Sequence, residues 1–311
     1  MNVALIGSVS SSWNALDALT RGGVELTAVF GVDESRRDRI SDYRSLRELA
    51  KTAGAAFHSF VKVADPNVEA ALKSNPPDLL WVIGLSQLVP DRLIRIARCG
   101  GVGFHPTMLP EGRGRAPVAW TILRRARAAV TLFFLADEPD AGDIIVQREV
   151  PVMDDDYSED LIHRTNLALS EVVLELAPRI RSGDLPRQTQ DHARATYYPK
   201  RTPADGLINW SASTDAVYRL IRAAGRPYPG AFTHCQGRRM TIWRARPALA
   251  DEVGAAYRRV AGATRFGRVI TTDEQNRVLV STADGGLWLT EIETDDNAQA
   301  FDLLAVGAQL G

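Results

Sequence analysis

The sequence predicts an α/β protein whose last third is a smaller β-barrel domain. Three observations carry this. Up to about residue 150, short apolar runs alternate with amphipathic segments, the pattern of βαβ units around a parallel sheet. Beyond residue 211 the pattern becomes one helix and then short strands, broken by turn signals at Gln236–Gly237, Asp273–Asn276 and Asp284–Gly286. Between them, the stretch 184–205 is mixed polar and aromatic and carries Pro186, Pro199 and Pro203. The expectation is a Rossmann-like parallel-sheet domain over 1–184, a linker over 185–205, and an OB-like barrel over 206–311.

Each element has its own signal. Val3 to Gly7 reads as a buried first strand, and Ser10 to Ser12 can cap a helix that ends near Gly22–Gly23. Glu25 to Gly31 is a second strand and Ser45 to Ala53 a helix. Asp78 to Gly84 is continuously apolar after its first residue, as a central strand should be. Pro90 to Ala97 is a short helix with proline in its first turn, and Val102 to His105 is a strand that runs into a proline-rich loop. Ala116 to Ala126 reads as a helix, and Val130 to Leu135 and Ile144 to Val150 as strands flanking the loop 136–143. Ser158 to Arg181 is a long helix by its leucine and valine spacing, stopped by Gly183. Ser211 or Ser213 caps a helix through Ala224, and a final helix is expected from Asn297 to Ala305.

Composition narrows the function. The chain has 311 residues, 45% hydrophobic and 24% charged, so it can bury a large core without crosslinks. A formal net charge of −1 argues against nucleic acid as a partner. Cys99 and Cys235 lie far apart, in no metal-binding or redox spacing. The N-terminus lacks a basic, apolar leader, and the most apolar stretch, Leu79 to Leu88, is too short to span a bilayer, so a cytoplasmic protein without a membrane partner is expected. A homodimer is compatible with the sequence.

Two constellations carry chemistry. His105 stands at the C-terminal end of a strand, where open α/β sheets place their sites, and Pro106, Pro110 and Pro117 stiffen the loop behind it. Asp140, at the end of the next loop, can meet His105 across the crevice and fix its tautomer. Alone, His105 also fits a hydrogen-bonded structural histidine, and Asp140 a turn residue. The run Gly7 to Ser12 lacks the dinucleotide fingerprint and reads as a tight turn or a phosphate cradle. Arg113, Arg115, Arg124, Arg125 and Arg127 form a local basic run.

Together these pieces resemble the folate-dependent formyltransferases. The matching residues are HPTMLP (105–110), RGRAP (113–117), Trp120, VTL (130–132) and DAGDII (140–145), then DGLINWS (205–211), YRLIRA (218–223) and PYPGAF (227–232). The resemblance covers nearly the whole chain. It is similar to the methionyl-tRNA enzymes, and its PYPGAF form looks closer to sugar N-formyltransferases such as those acting on UDP-4-amino-4-deoxy-arabinose. It implies a soluble enzyme with 10-formyltetrahydrofolate as co-substrate, no metal, and a small-molecule amine as acceptor. His105 and Asp140 become catalytic by this resemblance. Leu85, Ser86, Gln87, Leu88, Arg115, Ala136, Asp137, Glu138 and Pro139 become donor-binding, with 136–139 on the pterin.

The resemblance also implies the chemistry. An amine attacks the formyl carbon, His105 steadies the developing oxyanion, and Asp140 takes the amine proton. One departure stands out. The family carries Asn two residues before the histidine, to hydrogen-bond that oxygen, and this chain has Gly103. Gln87, Ser86, Thr107 or a backbone N–H are the candidates to replace it. The favoured acceptor is a nucleotide-linked amino sugar, with hydroxyornithine or methionyl-tRNA as alternatives. A folate-binding regulator without turnover and a formyl-folate hydrolase are the other readings.

Overall fold

A computed structural model describes residues 1–257, 266–275, 277–294 and 303–311. The chain divides into two compact units. One comprises Met1–Thr121, Arg127–Val152 and Leu161–Pro199; the other comprises Ile122–Ala126, Met153–Asp160 and Lys200–Gly311.

The first unit is built on a seven-stranded sheet. Its strands are β1 (Asn2–Ile6), β2 (Glu25–Val32), β3 (Ala56–Phe60), β4 (Leu79–Val82), β5 (Gly101–Thr107), β7 (Ala128–Phe134) and β8 (Ile144–Val150), in the order β3-β2-β1-β4-β5-β7-β8. The first five run parallel. β7 runs antiparallel to β5, and β8 antiparallel to β7, across a connection, 135–143, that is too short for a parallel crossover. Helices α1 (Ser10–Arg21), α2 (Arg47–Thr52), α3 (Pro66–Ser74), α4 (Asp91–Ile94), α5 (Pro117–Arg124) and α6 (Ser158–Ser182) join or follow the strands. Residues of β1 and β4 are buried on both faces, as the continuous apolar runs require.

The stretch expected to be a linker behaves otherwise over 185–199. Gln188 exchanges backbone hydrogen bonds with Ile144 at 2.8 and 2.9 Å. A two-residue strand, β9 (Tyr197–Tyr198), pairs in parallel with β6 (Arg113–Gly114). The polar side chains that make this stretch look like a connector are spent on the first unit. Ser158, the first residue of α6, donates its hydroxyl to the Ala223 carbonyl at 2.8 Å, within the second unit.

In that second unit, α7 (Thr214–Ala224) is capped by Ser213, which accepts from the Ala216 N–H. An antiparallel sheet follows, β10-β11-β14-β13-β12, from β10 (Ala231–Cys235), β11 (Arg238–Pro247), β12 (Val269–Thr272), β13 (Val278–Ser281) and β14 (Gly286–Thr294). Helix α8 (Ala250–Tyr257) lies between β11 and β12 in the chain. Bridges from Leu310 to Cys235 and from Gln309 to Arg268 link the two edges, so the C-terminal residues close the sheet. Gln236 and Gly237, both at positive φ, form the expected hairpin turn. Trp210 is a core residue, and Trp243 is half-buried and donates to Glu293. Asn276 and most of the expected helix 297–305 lie outside the described residues.

Candidate active site

Strand β5 carries His105 to the carboxyl edge of the sheet and buries it to 5% exposure. Its Nε2 lies 2.8 Å from the Gly112 carbonyl. A carbonyl only accepts, so Nε2 carries the hydrogen and Nδ1 is the nitrogen facing outward. That nitrogen stands 3.6 Å from Oδ1 of Asp140, whose Oδ2 accepts the Gly114 N–H at 2.9 Å. The histidine and the aspartate singled out from sequence therefore meet. Asp140 sits at φ +59, a left-handed conformation that aspartate tolerates better than most residues. Gly142 follows it because a Cβ there would lie 1.8 Å from the Phe134 carbonyl oxygen.

The proline-rich loop after His105 is folded back onto the sheet. Thr107 Oγ1 donates to the Glu111 carbonyl at 2.8 Å, and Gln147 Nε2 donates to the Leu109 carbonyl at 3.0 Å. The loop 136–139 before Asp140 is exposed along its whole length.

Two family descriptions match this chain: "Formyl transferase" over residues 1–176 and "Formyl transferase, C-terminal domain" over 200–302. The chain belongs to the formyl transferase family. Solved structures share the fold at low identity. HypX from Aquifex aeolicus, in complex with tetrahydrofolic acid, is 21% identical with a TM-score of 0.68 over 95% of this chain. This chain covers only 44% of HypX. An N-formyltransferase from Helicobacter canadensis, with folinic acid and dTDP-3-aminofucose, is 15% identical with a TM-score of 0.65, covering 93% of this chain and 98% of that one. A 4-N formyltransferase from Francisella tularensis is 17% identical with a TM-score of 0.60, covering 74% and 91%.

The wall beside His105 has no side chain at position 103. Gly103 shares a face with His105 and pairs with Phe133 on β7. A Cβ at position 103 would lie 2.7 Å from Phe133 Cζ and 2.9 Å from Leu135 Cδ2. Phe133, Leu109 and Ile144 form a small buried apolar cluster with Leu135 against it. Two of the expected replacements for a side-chain donor are engaged elsewhere. Gln87 accepts the Val63 N–H at 2.8 Å and donates to the Val61 carbonyl at 3.1 Å, and Thr107 is held as above. Ser86 is exposed in the same loop, Leu85 packs partly into the core, and Leu88 is 80% exposed.

The basic run separates into different roles. Arg115 is exposed, while Arg113 is 1% exposed and its terminal nitrogens reach Gln190, His192, Tyr197 and Glu138. Arg127 pairs with Glu149 at 2.6 and 2.9 Å. The phosphate-cradle reading of Gly7 to Ser12 is overturned. Asp42 accepts the Ser10 N–H at 3.2 Å, so a carboxylate of the chain itself caps α1, and burial pushes that carboxyl above its usual range. Ser12 Oγ takes the Ser8 and Val9 N–H groups at 3.0 and 3.2 Å. Gln190, which donates to the Asp140 carbonyl, gave no sequence signal, since glutamine in a polar stretch looks like surface.

Proposed function

We propose that this formyl transferase moves a formyl group from 10-formyltetrahydrofolate to a primary amine on a small molecule, with a nucleotide-linked amino sugar as the favoured acceptor class. The observation that carries the reading is the His105–Asp140 pair at the end of β5, beside an exposed loop. The residues present suit such a donor. Peptide groups of 136–139 offer hydrogen bonds to a polar ring edge, Leu88 offers an apolar surface on the loop after β4, and Arg115 offers a cation for a carboxylate tail. The acceptor class is supported by the PYPGAF segment and by a fold neighbour crystallised with a dTDP-sugar.

In this reading the amine attacks the formyl carbon, Asp140 accepts the proton it releases through the oxygen on the Nδ1 side of His105, and that proton passes to N10 of the folate as the C–N10 bond breaks. His105 keeps its ring fixed by the Gly112 carbonyl and presents only Nδ1 to the reacting groups. The remaining contribution is orientation of amine and formyl carbon. A second reading, donor binding without turnover, is supported by Phe133 filling the space beside Gly103. Loss of one oxyanion donor costs about 10²–10³ in kcat.

The test mixes purified protein with 10-formyltetrahydrofolate and a panel of amines, including dTDP- and UDP-linked amino sugars, hydroxyornithine and methionyl-tRNA. The expected outcome is a one-formyl mass gain on an amino sugar, slowed about 10²- to 10⁴-fold in His105→Ala and Asp140→Asn. Donor binding with no product from any amine would replace transfer with the second reading. No binding of the donor would end both.

A further inference from the structure

Asp140 is held from below by a chain of buried side chains. Gln190 is 4% exposed, and its amide nitrogen donates to two carbonyls at once, those of Asp140 at 2.9 Å and Gly142 at 2.7 Å. Its oxygen accepts from Arg113 Nη2 at 2.8 Å. Both hydrogens and the acceptor of that amide are thereby used, and the amide can sit only one way round. Arg113 is fixed in turn. Its guanidinium also reaches Nδ1 of His192 at 3.1 Å, the Tyr197 hydroxyl at 3.2 Å and Glu138 Oε1 at 3.4 Å. Tyr197 donates to the same Glu138 oxygen at 2.6 Å, and that hydroxyl, with Arg113 beside it, holds the Glu138 carboxyl below its usual range.

We propose that Gln190, oriented by Arg113, is a positioning residue that sets the Asp140 carboxylate against His105 by bracketing the backbone turn 140–142. The inference rests on the role assigned to Asp140 above. A guanidinium this deeply buried is costly unless it is paired, and here its two terminal nitrogens are met by Glu138 on the loop before Asp140 and by Gln190, His192 and Tyr197. The bracketed carbonyls belong to the left-handed residue and to a glycine lodged against β7, the two points where the turn would otherwise relax. A carboxylate displaced by about 1 Å can cost about 10²-fold in rate.

Gln190→Glu is the discriminating variant. It keeps the partner for Arg113 and the side-chain volume, but sets a carboxylate oxygen against two carbonyl oxygens. We expect kcat to fall about 10- to 100-fold, with KM for the formyl donor changed less than about threefold. In an Asp140→Asn background the same change should cost almost nothing, because Gln190 acts through Asp140. A readout independent of turnover is the NMR resonance of the His105 imidazole. Gln190→Glu should shift it in the direction that Asp140→Asn does, and add nothing to that variant. If Gln190→Glu does not fold, Gln190→Met removes the same hydrogen bonds without a charge and takes its place. An unmoved His105 resonance, or an equal loss of rate in both backgrounds, overturns the positioning role. Failure of the wild-type protein to use the formyl donor overturns the functional reading alone, since the resonance test stands without it.

Discussion

At the scale of single residues, the site turns on a position with no side chain. Gly103 leaves room that the Phe133 ring takes, and the ring is 2% exposed and packed with Leu109 and Ile144. A side chain at 103 must displace that ring or bend β5. Gly103→Asn is expected to destabilise the first unit by about 1–3 kcal/mol through overpacking. Phe133→Leu, which shortens the intruding group, should recover part of that loss in the double variant. Urea midpoints of the two single variants and the double variant measure this, and strictly additive losses would show that the two side chains do not compete. The same contact explains why the missing donor cannot be judged from sequence. Gly103 is visible there, but the ring opposite it becomes a neighbour only through the antiparallel register of β5 and β7.

At the scale of elements, the legible ones bury both faces or one continuous stripe. β1, β4 and α6 declare themselves by apolar runs or helical spacing. The edge strand β3 does not, because only Phe60 at its end is buried. The segment 185–199 is the instructive failure. Its side chains are polar because they are consumed by backbone carbonyls and a buried guanidinium, and composition does not distinguish a satisfied polar group from a solvated one. A similar local device starts α8. Glu252 accepts the Leu249 N–H at 2.7 Å and forms a two-point pair with Arg246 at 2.7 and 3.0 Å. These bonds, the one from Arg246 first, hold its carboxyl down to about 2 against an ordinary 4.5. Folding thus favours the ionised form. Its contribution is whole above about pH 4.5 and is lost as the pH falls toward 2. Glu252→Gln should flatten the acid limb of a stability–pH curve for the second unit and leave the neutral plateau lowered. An unchanged acid limb would mean that other carboxylates set it.

At the scale of the whole molecule, the two units do not correspond to two continuous stretches of chain. The second takes in Met153–Asp160 from well before its main segment. Tyr157 belongs to its core, 6% exposed among Ile208, Val217, Ile221 and Ala245. Its hydroxyl donates to the Ala245 carbonyl and accepts the Ala245 N–H, both at 3.0 Å, and burial pushes the phenol up to about 12. Arg222, itself 6% exposed, donates to the Asp156 carbonyl at 2.8 Å. A fragment cut at residue 200, where a family boundary invites the cut, would leave these groups without partners and a hole where the ring was. Loss of a buried aromatic side chain costs about 3–5 kcal/mol. The fragment 200–311 should therefore be less stable than the second unit in the intact chain by about that amount. Tyr157→Ala in the intact chain should reproduce most of the loss, and Tyr157→Phe only the ~1 kcal/mol of the hydrogen bonds. Urea denaturation, followed by the fluorescence of Trp210 and Trp288, reads all three. If the fragment matched the intact chain, the early segment would be a passenger on this unit, and the boundary between the domains would lie where the sequence alone suggests.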